Sequence, residues 1–161
     1  MRWKPMEYPF KPKSNRFLIP GQFWAIPLNS GKFACGRVIQ IMPKGELGST
    51  KCFLAGLMNW VGDKPPTSED LAVCSTIKQG DVHIVTIHET GLDGMIQGFR
   101  PLEIDGIEPN IFSDFDNDYF LTRGYEFYRR TNEEEWKNYE HRTSWGSHFI
   151  KELAEHYFGV K

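Results

Sequence analysis

Three apolar runs, at residues 23–28, 33–42 and 51–61, are separated by turn chemistry and constrain the fold more than any other feature. In the first, Phe23 and Ala25 alternate with Trp24 and Ile26, so both faces are apolar. That pattern predicts a strand covered on both sides. Asn29-Ser30-Gly31 is a turn cluster, and residues 33–42 read as the hairpin partner. Gly36 inside that partner predicts a bulge or a close backbone approach. Residues 43–50 read as a loop, and Gly62-Asp63-Lys64-Pro65-Pro66 ends the third run. Residues 81–88, rich in β-branched side chains, predict another strand. Residues 95–99 predict a short one, and residues 120–129 alternate weakly as the last.

Helix signals are fewer. Ser68, with Thr67 before it, can cap a short helix through Leu71 and Ala72, with Glu69 and Asp70 in its first turn. Asn132 can cap a helix that opens with Glu133, Glu134 and Glu135. At the C-terminus Trp145, Phe149, Leu153 and Tyr157 recur every four residues, beside Ile150 and Ala154, as one apolar stripe. Ser144 can cap that helix, and Gly159 can end it in the left-handed conformation. The expected class is α+β: a mainly antiparallel, strongly curved or barrel-like β-sheet with a C-terminal amphipathic helix. The 161 residues suit one domain. Residues 1–20 would be a basic, Pro-rich arm, 21–130 a β-rich core and 131–161 a helical part.

Charge narrows the function. A net charge of −2 argues against a strongly basic nucleic-acid binder, so no nucleic acid is expected as partner. The distribution is uneven. Arg2, Lys4, Lys11, Lys13 and Arg16 face one acid, Glu7, in the first twenty residues. Residues 103–118 hold Glu103, Asp105, Glu108, Asp114, Asp116 and Asp118 and no Lys or Arg. Cys35, Cys52 and Cys74 have no metal-binding spacing, the N-terminus has no apolar signal-peptide core, and no run is long enough to span a bilayer. The expectation is a cytoplasmic protein with reduced thiols and no membrane partner.

Catalytic and metal signals are weak. His83 and His88 lie five apart on one predicted strand and so point to opposite faces. His141, His148 and His156 are seven and eight apart, and His88-Glu89 lacks the second His of a metalloprotease helix. The D-x-D-x-D spacing from Asp114 invites calcium. An EF-hand loop, however, needs Gly and Glu where this sequence has Tyr119 and Tyr125. No nucleophile elbow, P-loop or dinucleotide fingerprint is present. No catalytic residue, metal ligand or cofactor is assigned.

The acidic stretch carries the binding signal. Ile107, Ile111, Phe112, Phe115 and Phe120 thread among its carboxylates. Interfaces place aromatic anchors inside a charged rim, and negative charge steers a basic partner such as a nuclease. The expected partner-facing residues are Glu103, Asp105, Glu108, Phe112, Asp114, Phe115, Asp116 and Asp118. The plainer alternatives are a solvated loop, or aromatics that pin the loop to the core.

The stretch Pro20-Gly21-Gln22-Phe23-Trp24-Ala25-Ile26-Pro27-Leu28, followed by Gly31-Lys32-Phe33-Ala34-Cys35-Gly36-Arg37-Val38, resembles the opening hairpin of the bacterial immunity protein 26 family. Gln22 stands where that pattern has an acid. Gly98-Phe99-Arg100-Pro101-Leu102 fits the same family. The resemblance implies a small protein of a polymorphic toxin system that binds and neutralises a cognate protein toxin by blocking its active or substrate-binding surface. Some members are also described as phosphotriesterases. The alternative it implies is a metal-dependent phosphotriesterase-like hydrolase, using some of the five histidines with nearby carboxylates. A scaffold or nucleic-acid-associated barrel is a third reading, from the β-rich pattern and basic arm.

Overall fold

The computed structural model describes residues 6–45, 50–113 and 119–159. The three apolar runs form the strands expected of them: β1 (Gln22–Pro27), β2 (Phe33–Ile41) and β3 (Cys52–Gly62). With β4 (Thr76–His83) and the short β5 (Gly98–Phe99) they make an antiparallel sheet in the order β4-β3-β2-β1-β5. The sheet stays open and does not close into a barrel. Pro27 ends β1 beyond the reach of β5, where its missing N–H breaks no central ladder.

Gly36 meets both expectations. The β2–β3 register shifts between Ala34 and Gly36, and a Cβ on Gly36 would lie 2.3 Å from the Trp24 ring that crosses it. Each face of the sheet is buried. Trp24, Ile26, Val38, Phe53 and Leu57 pack on one side with Ile87, Ile150 and Ala154. Phe23, Cys35, Ile39, Leu54 and Met58 pack on the other with Leu71, Leu102, Ile107 and Phe112. A second, three-stranded sheet has the order β6-β7-β8, from Ile111–Ser113, Phe120–Arg123 and Glu126–Arg130. The weak alternation at 120–129 is therefore a hairpin, turned at Gly124 with φ +60°.

Several expectations are corrected. Residues 81–88 are not one strand: β4 ends at His83, and Val85–Thr90 is a helix, α1. Its buried side chains are Thr86, Ile87 and Thr90, a helical spacing, and packing on the sheet overrides their strand preference. Thr90 Oγ1 donates to the Thr86 carbonyl at 2.6 Å and accepts from Trp24 Nε1 at 3.3 Å. His83 and His88 consequently sit on different elements. The short helix near Ser68 is a 3-10 turn, Glu69–Leu71, and Ser68 makes no capping bond. Thr67 and Asp70 bond each other's backbone N–H instead.

Asn132 does cap its helix, α2 (Glu133–Trp136), accepting from Glu135 N at 2.9 Å. The last helix, α3, is Phe149–Phe158, and it starts later than Ser144. Residues 143–145 are held beside β4 instead, with Asp81 N bonded to the Thr143 carbonyl and Trp145 N to the Asp81 carbonyl. Gly80 permits this, because a Cβ there would lie 2.2 Å from the Trp145 indole. The stripe rotates accordingly: Ile150 and Ala154 are buried, whereas Phe149 and Tyr157 are exposed. Gly159 is extended at φ −69°, not left-handed.

The described part of the N-terminal arm is tied down. Phe10 exchanges both backbone bonds with Ile96, and Leu18 is buried. Gln22, fully buried, accepts from Ile19 N and donates to the Phe17 carbonyl and the Tyr8 hydroxyl. A carboxylate at that position could accept but not donate, so the amide suits this junction. No helix among the described residues is long and apolar enough to cross a membrane.

Candidate functional site: an ionic clamp beneath an exposed turn

Arg37 lies mid-strand in β2, between Cys35 and Ile39, and its side chain is fully buried. A buried guanidinium requires partners. Its Nη2 donates to the Arg100 carbonyl at 2.6 Å, and its Nη1 lies 3.5 Å from Asp105 Oδ2. Asp105 ends a 3-10 turn, Leu102–Asp105, whose buried Leu102 draws the segment against the sheet.

The Asp105 carboxylate, with no exposed side-chain surface, is fully engaged. Oδ2 accepts from Arg100 Nε at 2.7 Å, and Oδ1 from Arg100 Nη2 at 3.0 Å, a two-pronged pair. Oδ1 also accepts from the backbone N–H of Val73 at 2.9 Å. The Arg100 bonds and the Val73 N–H hold this carboxyl at about 2, below its ordinary value.

Val73 is the unusual member. Ala72 at φ −56°, ψ 129° and Val73 at φ +57°, closed by Cys74 N to the Leu71 carbonyl at 3.1 Å, form a type II turn. The third position of that turn ordinarily takes Gly. A β-branched residue there costs about 1–2 kcal/mol, which the Asp105 bond offsets. The side chain so placed is 89% exposed, and Ile104, next to Asp105, is 63% exposed.

A second polar group joins the two sheets. Tyr125 donates its hydroxyl proton to Asp81 Oδ1 at 2.5 Å, and Arg142 Nε bonds Asp81 Oδ2 at 3.0 Å. The Arg142 guanidinium lies over the Tyr125 ring at 4.7 Å. Burial and the adjacent Asp81 charge push the Tyr125 phenol well above its usual range.

The expected partner-facing residues separate. Glu103 is exposed and forms no ion pair among the described residues. Glu108 is exposed but pairs with Arg123 at 3.3 Å, on the rim of a cleft of about 570 Å³. The Asp105 side chain is buried at 0% exposure, and Phe112 is 1% exposed, so the described fold turns both inward. The reason is the same for both: burying Ile107, Leu102 and Phe112 against the sheet carries the segment's backbone inward. Asp114, Phe115, Asp116 and Asp118 lie outside the described residues.

The histidines do not converge. His83 accepts from Val85 N, His88 Nε2 bonds the Pro12 carbonyl at 2.6 Å, and His148 contacts Glu89 at 2.9 Å. His141 Nδ1 lies 2.7 Å from Ser113 Oγ. That hydroxyl donates to the Tyr139 carbonyl, so the pair reads as a clip between β6 and residues 139–141. Among the described residues no three His, Cys, Asp or Glu side chains are grouped to hold a metal ion. Burial raises all three thiols, which keeps them protonated and poor nucleophiles at neutral pH.

Residue type alone marked Arg37 weakly: a charge inside a run apolar on both faces must find a partner. That partner lies 68 positions away, so no local spacing could reveal it. Val73 carried no signal, because an exposed valine in a short loop has no pattern.

Comparison with known proteins bears on the same elements. No curated protein and no solved structure matches the chain. The family model described as Immunity protein 26 matches residues 19–117, which contain the five-stranded sheet, the strained turn and all three charges of the clamp. On that match the chain belongs to the immunity protein 26 family.

Proposed function

We propose that this protein is a cytoplasmic immunity protein of a polymorphic toxin system, which binds a cognate toxin and blocks its active or substrate-binding surface. The family match over residues 19–117 carries the reading. Blocking a surface requires a rigid frame with an exposed, complementary patch, and no chemistry of its own. The buried clamp supports the first requirement. Exposed Glu103, which forms no ion pair among the described residues, supports the second, and Asp114, Asp116 and Asp118, with Phe115 among them, extend the acidic sequence. Such charge steers a basic toxin, for which a nuclease is the natural class.

The test is co-expression in bacteria with the toxin encoded by the adjacent gene. Growth should return only when this protein is present. A well-expressed, folded protein that gives no protection against that toxin overturns the proposal. Changing Asp114, Asp116 and Asp118 together to Asn should slow association and flatten its salt dependence. Unchanged kinetics would remove the acidic segment from the interface.

A further inference from the structure

The type II turn at residues 71–74 has a feature that folding alone does not explain. Gly at position 73 would relieve its strain, yet the chain carries Val there, with nearly the whole side chain in water. Strain retained at an exposed apolar residue points to use of that side chain.

Its surroundings sharpen the point. Ile104 is brought near by the hydrogen bond from Val73 N to Asp105, so two exposed aliphatic side chains stand on one ionic clamp. Around them Glu69, Asp70 and Glu103 are exposed, and none forms an ion pair among the described residues. The positive charges of Arg37 and Arg100 are turned inward onto Asp105 and the Arg100 carbonyl. The exposed residues here are therefore two aliphatic side chains and three acids, on a backbone held from beneath by the clamp.

We infer that Val73 and Ile104 are the apolar anchors of the docking surface for the toxin, and that they enter an apolar depression ringed by Lys or Arg on a basic protein. This rests on the immunity reading and adds to it the anchoring residues and the partner's chemistry. Charge complementarity selects that occupant. A second copy docking face to face would set Glu69, Asp70 and Glu103 against themselves. The rigid turn suits an anchor, since little ordering remains to be lost on binding.

The experiment uses the purified protein and the toxin encoded by the adjacent gene, with binding followed by biolayer interferometry and folding by thermal melting. Val73→Gly removes the anchor and relieves the turn. It should weaken binding by about tenfold or more while melting at or above the wild-type temperature. Ile104→Ser should also weaken binding. Glu69→Gln with Glu103→Gln should slow association several-fold at low salt, and the difference should fade as salt rises.

Wild-type affinity in both Val73→Gly and Ile104→Ser overturns this surface and leaves the immunity reading standing. A wild-type protein that does not bind the toxin overturns the immunity reading and this surface with it. A clear fall in melting temperature for Val73→Gly would make Val73 a folding residue, and the inference fails. A wild-type dimer that Val73→Gly converts to monomer in sedimentation would identify a second copy as the occupant and overturn the basic partner.

Discussion

The 71–74 turn and strand β8 both expose large apolar side chains, and they differ in what holds them and in what their charges do. At the 71–74 turn, Val73 and Ile104 stand on a buried clamp, and Glu69, Asp70 and Glu103 nearby form no ion pair among the described residues. Along β8 all five residues are exposed, with Phe127 and Tyr128 at 63% and 44%. There the arginines are already engaged. Arg129 pairs with Glu135, Arg123 pairs with Glu108, and Arg130 lies over the Phe120 ring at 4.8 Å. Phe127 also packs edge-on against Phe120, with ring centroids 5.3 Å apart.

The difference teaches that exposed apolar area is a poor guide by itself. The β8 surface resembles an interface in composition, but its arginines and aromatics satisfy one another within the fold. The turn, by contrast, carries strain, a rigid support and acids held in no ion pair among the described residues. Those features are costly to keep unless a partner uses them.

The largest test of the contrast removes the support of the turn. Asp105→Asn should cost about 3–5 kcal/mol in urea unfolding, because it leaves the Arg37 and Arg100 guanidiniums short of charge inside. Phe112→Ala should cost a similar amount, about 3–5 kcal/mol, by opening a cavity beneath the segment. Phe127→Ala on β8 should cost under about 1 kcal/mol, since its ring is mostly in water already. A severe loss from Phe127→Ala would show that β8 supports the fold and would break the comparison.

Acid should act on the same element. Asp105 titrates at about 2 in the folded protein, against about 4 in an unfolded chain. Its contribution is therefore fully present above about pH 4 and is lost as pH falls towards 2. The urea midpoint of the wild type should drop through that window, and that of Asp105→Asn should drop less. Equal slopes would mean that the clamp carboxylate is not the group titrating.

Relieving the turn is a smaller effect of opposite sign. Val73→Gly should raise the melting temperature by about 0–4 °C, the strain relieved less the entropy Gly loses on folding. Smallest of all, Glu135→Gln should leave the unfolding midpoint at the wild-type value, because its pair with Arg129 is exposed and screened.

The strands were legible where apolar periodicity was long. Residues 23–28, 33–42 and 51–61 became β1, β2 and β3 nearly as read, and Gly36 and Asn132 took the roles their chemistry suggested. Residues 81–88 misled because β-branching favours strands only until packing intervenes. Ile84, Ile87 and the Thr86–Thr90 pair bury better on a helical spacing against Trp24. The final helix was found but displaced, since capture of residues 143–145 by β4 delayed its start. Within the acidic segment Glu103 is exposed, whereas the Asp105 side chain and Phe112 are buried, a distinction no local pattern carries.

What the sequence determined by itself is what local chemistry controls: the hairpin of β1 and β2, the α+β class, the acid-rich segment and the family. Those follow from side-chain period, turn residues and composition, which act over a few positions. Tertiary structure decided which charges face water. Arg37 and Asp105 are 68 positions apart and meet only once the sheet is covered, and their meeting fixes Val73 in an unfavourable turn. Burial is a property of the assembled layers, so a carboxylate in an acidic run can be a rim charge or the centre of a core, and the strands around it choose.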